Sequence, residues 1–146
     1  MGTTRISIVK ALAKKLEIIK KDNGYNSDLV EVKPFLRFWD EINNYPAVYM
    51  SVGNETREYL PSAFTWGFLN VSLKLYVKNA DDAASELELL LADVEKVIDN
   101  NRQLVYDTTL GSSTVEILIN SIVSDEGLLE PYGVGEVNLT VQYPVL

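Results

Sequence analysis

Three carboxylates, Asp125, Glu126 and Glu130, lie close together just before the turn Tyr132-Gly-Val-Gly135. Carboxylates gathered in one loop can bind a divalent cation or act as an acid and base pair. A Gly-x-Gly turn can also hold a phosphate, but phosphate-binding glycines open a helix, whereas these lead into a strand-like alternating segment. No further ligand converges on the three carboxylates in sequence. A solvated acidic loop followed by a tight turn is therefore favoured over a metal or catalytic site.

The residue types that the chain lacks exclude most other chemistry. It contains no cysteine and no histidine, so thiolate nucleophiles, cysteine-ligated zinc, iron–sulfur clusters and serine–histidine pairs are excluded. The phosphate-binding patterns GxGxxG and GxxxxGK[ST] are also absent. Asp81 and Asp82 precede a helical segment, where aspartate is a normal N-cap. We therefore expect no enzyme, no cofactor and no bound metal.

The formal net charge of −8 is distributed unevenly along the chain. Residues 1–21 carry a net charge of +5, and the remaining residues carry −13. Such an acidic surface repels nucleic acid but suits the wall of a passage along which DNA slides. The basic N-terminal segment allows a DNA or anionic-membrane contact, although a solvated lysine face is favoured. A basic helix could also lie beside the acidic segment 81–99, within one subunit or across a subunit boundary.

The chain has 146 residues, which predicts a single domain over 1–146. The apolar fraction of 47% and the charged fraction of 23% are those of an ordinary globular protein. No apolar run reaches the length of a membrane span, and lysines interrupt the N-terminal segment where a signal peptide would be apolar. We expect a soluble, non-secreted protein that does not contact a membrane.

Hydrophobic periodicity predicts two helices and five strands in the order α-β-β-β-α-β-β. The helices are predicted over 4–21 and 81–99, and the strands over 28–33, 46–52, 64–78, 115–123 and 135–143. Gly53-Asn54 is expected to end the second strand, and 55–61 to form a loop or an irregular edge strand. Because the strands alternate in polarity and no βαβ repeat is present, the predicted fold is α+β. It consists of a mainly antiparallel sheet with two helices packed on one face.

The alternation of 64–78 also predicts which side chains form the core. Five residues at alternate positions should face the two helices, whose apolar stripes have no other large partner. The strand residues are Leu69, Val71, Leu73, Leu75 and Val77, and the helix residues are Leu12, Leu16, Leu87, Leu91 and Val94. In the strand 115–123, Ile117, Ile119, Ser121 and Val123 are expected to share one face.

An ordered set of segments, over about residues 5–143, resembles the tail terminator (tail completion) proteins of tailed bacteriophages. The set comprises an opening helix, a strand that ends in Val52-Gly-Asn-Glu55, and a long strand that runs into an acidic helix. It ends with an EG-x-x-x-P-x-G-x-G turn from Glu126 to Gly135 before the last strand.

The resemblance implies a structural role in the virion, at the junction of tail and neck, for a protein made in the host cytoplasm. Such proteins form a ring, typically of six subunits, on the last layer of tail tube protein. The ring ends tube polymerisation and offers a surface to neck or head-completion proteins, and in contractile tails to the sheath. DNA passes through its lumen without specific binding. The nearest alternative function is that of a head–tail adaptor or another minor ring-forming tail protein. The second alternative is a ligand-binding domain or an enzyme that uses the carboxylates near Asp125.

Two segments are predicted to bind the partners, 53–62 and 124–135, because both interrupt regular strands and mix charge with apolar or aromatic residues. Such residues favour interfaces over solvated turns. The predicted interface residues are Arg57, Glu58, Tyr59, Leu128, Leu129, Glu130 and Tyr132. The alternative is that Leu128, Leu129 and Tyr132 fold back against their own sheet edge.

Overall fold

The computed structural model describes residues 4–145. Two α-helices are present in this part of the chain, α1 (Thr4–Leu16) and α2 (Ala83–Asn100), with short 3₁₀ turns at Lys21–Asn23 and Trp39–Glu41. The strands are β1 (Glu31–Lys33), β2 (Ala47–Leu60), β3 (Phe64–Lys78), β4 (Val105–Asp107), β5 (Ser112–Ser113), β6 (Glu116–Ser124) and β7 (Tyr132–Val145).

The main sheet has five strands in the order β1-β2-β3-β7-β6. β1 is parallel to β2, and every other neighbouring pair is antiparallel. β4 and β5 form a separate two-stranded ribbon that the sequence pattern did not predict. The predicted α+β class, with a mainly antiparallel sheet and two helices, is confirmed, and the two short strands are added to the predicted order.

Both helices pack on one face of the main sheet, which we call the front face. α1 contacts β1 and β2, whereas α2 contacts β3, β7 and β6. The ten residues predicted to pack between strand 64–78 and the helices are all buried in one apolar core, so that prediction is confirmed. Alternation in β3 and the 3.6-residue period of the helices thus bring two apolar surfaces together.

The first helix ends at Leu16, five residues before its predicted end. Its apolar period continues to Ile19, which is fully buried although it lies in the following turn. The chain then turns through Lys21–Asn23 to Gly24, whose φ of 88° lies in the left-handed region. α2 begins at Ala83, two residues after its predicted start, and Asp82 is its N-cap as predicted: the carboxylate accepts a hydrogen bond from the Ser85 N–H at 3.1 Å.

Two strands differ from the prediction because each contains a β-bulge. Gly53-Asn54 does not end the second strand: pairing resumes at Glu55 opposite Leu69 and continues to Leu60 opposite Phe64. In β6, the register shifts between Ile119 and Ser121. Beyond this shift the predicted face is wrong, since Ile122 now pairs with the buried Val137 and Val123 lies on the opposite face. A bulge inserts one residue and so inverts the alternation.

The opposite face of the sheet, which we call the back face, is covered at one end only. There, Ile42 and Tyr45, from the segment that precedes β2, pack on Tyr49, Tyr76 and neighbouring side chains in a second apolar cluster. Further along, polar side chains bond across the strands. The Ser72 hydroxyl donates to the Asn138 side-chain oxygen at 2.8 Å, and the Asn138 amide donates to Ser121 Oγ at 2.9 Å.

Neither helix in residues 4–145 has the length and hydropathy needed to cross a membrane.

Candidate interaction surfaces

The two predicted interface segments lie at opposite ends of the sheet. Leu60 pairs with Phe64 at the tip of the β2–β3 hairpin, whereas Tyr132 pairs with Lys78 at the far end of β3. At about 3.3 Å per residue, the length of β3 separates the two ends by roughly 45 Å. The segments therefore cannot form one site and provide two separate surfaces.

The segment 53–62 is mostly strand and not an interruption between strands, so the predicted alternative of an irregular edge strand over 55–61 is confirmed. Together with the start of β3 it forms a hairpin, residues 55–68, which we call the hairpin arm. Every residue from Thr56 to Phe64 is exposed, because neither helix extends over this part of the sheet. Among the predicted residues, Tyr59 is 75% exposed, and Arg57 and Glu58 are also exposed.

A polar triad fixes the base of the arm. The Tyr143 hydroxyl donates to Glu55 Oε1 at 2.5 Å, and Arg57 Nε donates to Glu55 Oε2 at 2.7 Å. Burial opposes ionisation of Glu55, but the hydrogen bonds from Tyr143 and Arg57 outweigh it and lower the pKa of this carboxyl. Burial and the hydrogen bond to Glu55 raise the pKa of Tyr143 to about 12. Arg57 therefore has a structural partner as well as a predicted interface role.

The predicted interface residues do not include the aromatic residues on the back face of the arm. Phe64, Trp66 and Phe68 alternate along β3, and Leu60 lies opposite Phe64. The Phe64 and Trp66 rings meet edge to face, with centroids 4.8 Å apart. Phe64 and Leu60 are exposed, and Trp66 and Phe68 are half-buried. The same alternation that assigned Leu69 and Leu73 to the core could have revealed this stripe, which faces the opposite side.

At the other end of the sheet, the predicted residues of 124–135 divide into two groups. Leu128 is 82% exposed, and Leu129 and Glu130 are exposed as well. Tyr132 is instead half-buried: its ring centroid lies 5.1 Å from that of Trp39 and 5.9 Å from that of Tyr45. The Lys78 ammonium lies 5.4 Å from the centre of the Tyr132 ring. Tyr132 therefore packs on its own subunit, while Leu128 and Leu129 remain available to a partner.

Asp125 has a structural role in this loop. Its two carboxylate oxygens accept hydrogen bonds from the N–H groups of Gly127 and Val134, at 3.1 and 3.3 Å. Within residues 4–145, no three Asp or Glu side chains converge as metal ligands would. The arrangement closes the loop onto the start of β7 and explains why an aspartate is placed there.

A groove of about 540 Å³ runs between α2 and the loop that follows β6. Its floor is apolar, and three carboxylates stand on its walls, with no basic residue among those lining it. We call it the acidic groove; it is lined by Ala84, Ser85, Leu87, Glu88, Leu89, Ser124, Asp125, Glu126 and Gly127.

The basic helix and the acidic helix lie side by side on the front face, as one of the sequence interpretations suggested. None of the ion pairs found in residues 4–145 joins them: these pairs are Arg57–Glu55, Lys74–Glu136 and Arg102–Glu116. The lysines at positions 10, 14 and 15 of α1 are exposed, and α1 contains no acid. The basic surface therefore remains open to solvent.

Comparison with known proteins identifies the family. The family described as Bacteriophage Tail Tube Terminator Protein matches residues 2–145. Tail tube terminator protein p142 of Escherichia phage T5 is 34% identical over an alignment of 143 residues, and the match covers 94% of this chain and 89% of that protein. A chain from the virion of a native gene transfer agent particle shares the fold, with a TM-score of 0.60 and 9% identity over 94% of this chain and 95% of that one. The chain belongs to the bacteriophage tail tube terminator protein family.

Proposed function

We propose that this tail terminator caps the tail tube as a ring of identical subunits, six in number, and so ends tube polymerisation. The role is structural and not catalytic. The observation that carries the proposal is the family match over residues 2–145, which spans both ends of the sheet. A cap at a junction must contact one partner on each side, and this subunit offers two separate surfaces roughly 45 Å apart.

We assign the hairpin arm to the tail tube. A contact that stays in place in the assembled particle favours aromatic and apolar surface, and permanent interfaces are more apolar than transient ones. The arm provides Tyr59 together with Leu60, Phe64 and Trp66 on its back face. Its base is held by the Glu55–Tyr143 hydrogen bond, which orients the arm before the partner arrives.

We assign the opposite end, with Leu128, Leu129 and Glu130, to the neck or head-completion protein. This surface combines two exposed leucines with a carboxylate, which suits a partner that joins after the tube is complete. In a contractile tail, the sheath would contact the outer side of the ring. The net charge of −8 keeps passing DNA from binding the lumen. The finished protein would lie at the tail–neck junction of the virion after synthesis in the host cytoplasm.

Electron microscopy of purified tail tubes tests these assignments. Wild-type protein should stop the elongation of tubes supplied with free tube protein and add density at one tip. Tyr59→Ala combined with Phe64→Ser should abolish capping, because the aromatic contacts are lost. Leu110→Ala is the matched control, since Leu110 is 74% exposed in the turn between β4 and β5 and belongs neither to the hairpin arm nor to the segment 124–135.

Leu128→Ser should leave tube capping intact and prevent attachment of heads. If Leu128→Ser blocks capping while the arm variant still caps, the two surfaces are assigned the wrong way round. If wild-type protein never stops elongation, the capping function itself is wrong.

A further inference from the structure

The acidic groove has the features of a binding surface whose occupant is positively charged. Glu88 stands on the helix side of the groove, and Glu126 and Asp125 stand on the loop side. Leu89, which also lines the groove, is 47% exposed, and the 82% exposed Leu128 is close by in the same loop. A surface that carries charges of one sign around apolar side chains is complementary to a partner surface of the opposite sign.

The only strongly basic helix of the described chain lies on the opposite flank of the front face. α1 packs on β4, β1 and β2 and contacts α2, whereas the groove opens between α2 and the loop after β6, the strand at the other edge of the sheet. Lys10, Lys14 and Lys15 are exposed along α1 and form no ion pair within residues 4–145. The subunit thus has a basic surface on α1 and an acidic groove on the far side of α2, and no ion pair within residues 4–145 joins the two.

We propose that the acidic groove of one subunit receives the lysine face of α1 from the next subunit of the ring. The proposal rests on the ring of the proposed function and names the contact that closes it. A ring of identical subunits requires two different, complementary surfaces on opposite flanks, because each subunit must present one surface forward and the other backward. The basic and acidic flanks meet this requirement in both charge and position.

The contact combines apolar and electrostatic interactions. The methylene stems of Lys14 and Lys15 can lie on Leu89 and the apolar floor while their ammonium groups reach Glu88 and Glu126. Ile6 and Ile18, at the two ends of the lysine face, are exposed apolar residues that add to the buried surface. Since the charges lie near the surface, ring closure should weaken as salt is raised.

Charge reversal on each flank tests the contact in the full-length chain. The first variant combines Lys14→Glu with Lys15→Glu, the second combines Glu88→Lys with Glu126→Lys, and the third carries all four substitutions. Asp125 stays unchanged because it holds the loop through backbone hydrogen bonds. The control combines Asp40→Lys with Glu41→Lys, which makes the same charge change as the second variant at two exposed positions outside α1 and the groove.

Tube capping should fall roughly tenfold or more in each two-site variant, because like charges then face each other at every subunit boundary. The four-site variant should restore capping, since the charges are exchanged but remain complementary, and the control should cap like wild type. Circular dichroism and thermal melting check that each variant is folded. The proposal is overturned if a folded two-site variant caps normally, or if the four-site variant stays inactive.

Cross-linking separates this contact from the capping function. Because the chain has no cysteine, Lys14→Cys with Glu126→Cys in one chain provides two unique thiols. A short bis-maleimide should then join subunits into a ladder, whereas either single variant should give no ladder. If the two-cysteine variant caps tubes as well as wild type but gives no ladder, the proposed contact is wrong and the capping function is unaffected. If it gives a ladder but neither it nor wild type ever caps tubes, the contact is supported and the capping function is wrong.

Discussion

The hairpin arm and the helix-covered body of the subunit are built on the same two strands, yet they differ in what covers them. Along β3, residues alternate between the two faces from Phe64 to Lys78, and from Thr65 onward they pair with β7. In the body, the front-face positions such as Leu73 are fully buried under the helices. In the arm, the positions from Thr56 to Phe64 are exposed on both faces. Strand alternation thus determines the face of a residue, while helix length determines whether that face is buried.

Two tyrosines, both predicted to be interface residues, illustrate the difference. Tyr59 lies on the arm and is 75% exposed, with no helix to pack on. Tyr132 begins β7 beside the segment that covers the back face, and packs between Trp39 and Tyr45. The same residue type is therefore exposed to solvent in one region and packed within its own subunit in the other.

The largest effect expected from this comparison is the loss of a core leucine in the body. Leu73→Ala and Leu91→Ala should each lower the free energy of unfolding by about 2–5 kcal/mol, since both side chains are buried between β3 and α2 and truncation leaves a cavity. Urea denaturation followed by circular dichroism measures the change. Unchanged midpoints in both variants would contradict the packing of the helices on β3.

A second effect compares two glycines, one in each region. A Cβ at Gly133 would lie 2.6 Å from Val77 Cγ2 and 3.1 Å from the Ala83 backbone oxygen, so the helix would have to shift. Gly67 is also buried, but the atoms nearest to a Cβ there belong to two side chains of β7, the Tyr143 ring at 2.8 Å and Val145 Cγ2 at 3.1 Å, and not to a helix backbone. Gly133→Ala should therefore cost about 3 kcal/mol and Gly67→Ala about 1 kcal/mol. Thermal melting of the two variants measures both losses of stability. Equal losses would show that the arm is as tightly packed as the body.

The helix-covered body is predicted better than the arm, because a sequence pattern reveals long periodic segments and the body is built from such segments. Long alternating or helical stretches identified β3, β7, α2 and the shared core. Gly53-Asn54 has the residue types of a strand end, but the pairing of Glu55 with Leu69 and of Tyr59 with Thr65 continues the strand beyond it. Asn120 gives no local sign of the bulge that inverts Ile122 and Val123.

The candidate surfaces were partly predictable for the same reason. Residue type marks Tyr59, Leu128 and Tyr132 equally as interface residues. Only the position of Trp39, far away in sequence, shows that Tyr132 is already packed. The acidic groove likewise depends on α2 lying beside the loop after β6, which no local pattern in the sequence encodes.

A third, smaller effect concerns pH at the base of the arm. The pKa of Tyr143 is raised to about 12, so the folded state keeps its proton where the unfolded chain, with an ordinary pKa near 10, loses it. This contribution to stability is complete below about pH 10 and disappears as pH rises to about 12. Tyr143→Phe should cost roughly 1 kcal/mol at neutral pH through the lost hydrogen bond to Glu55.

The same variant should also reduce the loss of stability between about pH 10 and pH 12 relative to wild type. Denaturation midpoints measured across that range test the assignment. If wild type and Tyr143→Phe lose the same free energy of unfolding over this pH range, the loss comes from other groups. Tyr49 is one such group, because burial and its hydrogen bond to Glu31 also raise its pKa.

The smallest effect is expected for Tyr59→Ala, and it is best measured against Tyr132→Ala. Tyr132→Ala should cost about 1–3 kcal/mol, because Trp39 and Tyr45 lose an aromatic partner and Lys78 loses its contact with the ring. Tyr59→Ala should change the free energy of unfolding by less than about 0.5 kcal/mol, as expected for an exposed side chain. Denaturation of both variants under identical conditions compares the two losses in the free energy of unfolding. A loss at Tyr59 as large as that at Tyr132 would mean that the arm folds back onto its own subunit, and Tyr59 would then be unavailable to the tail tube.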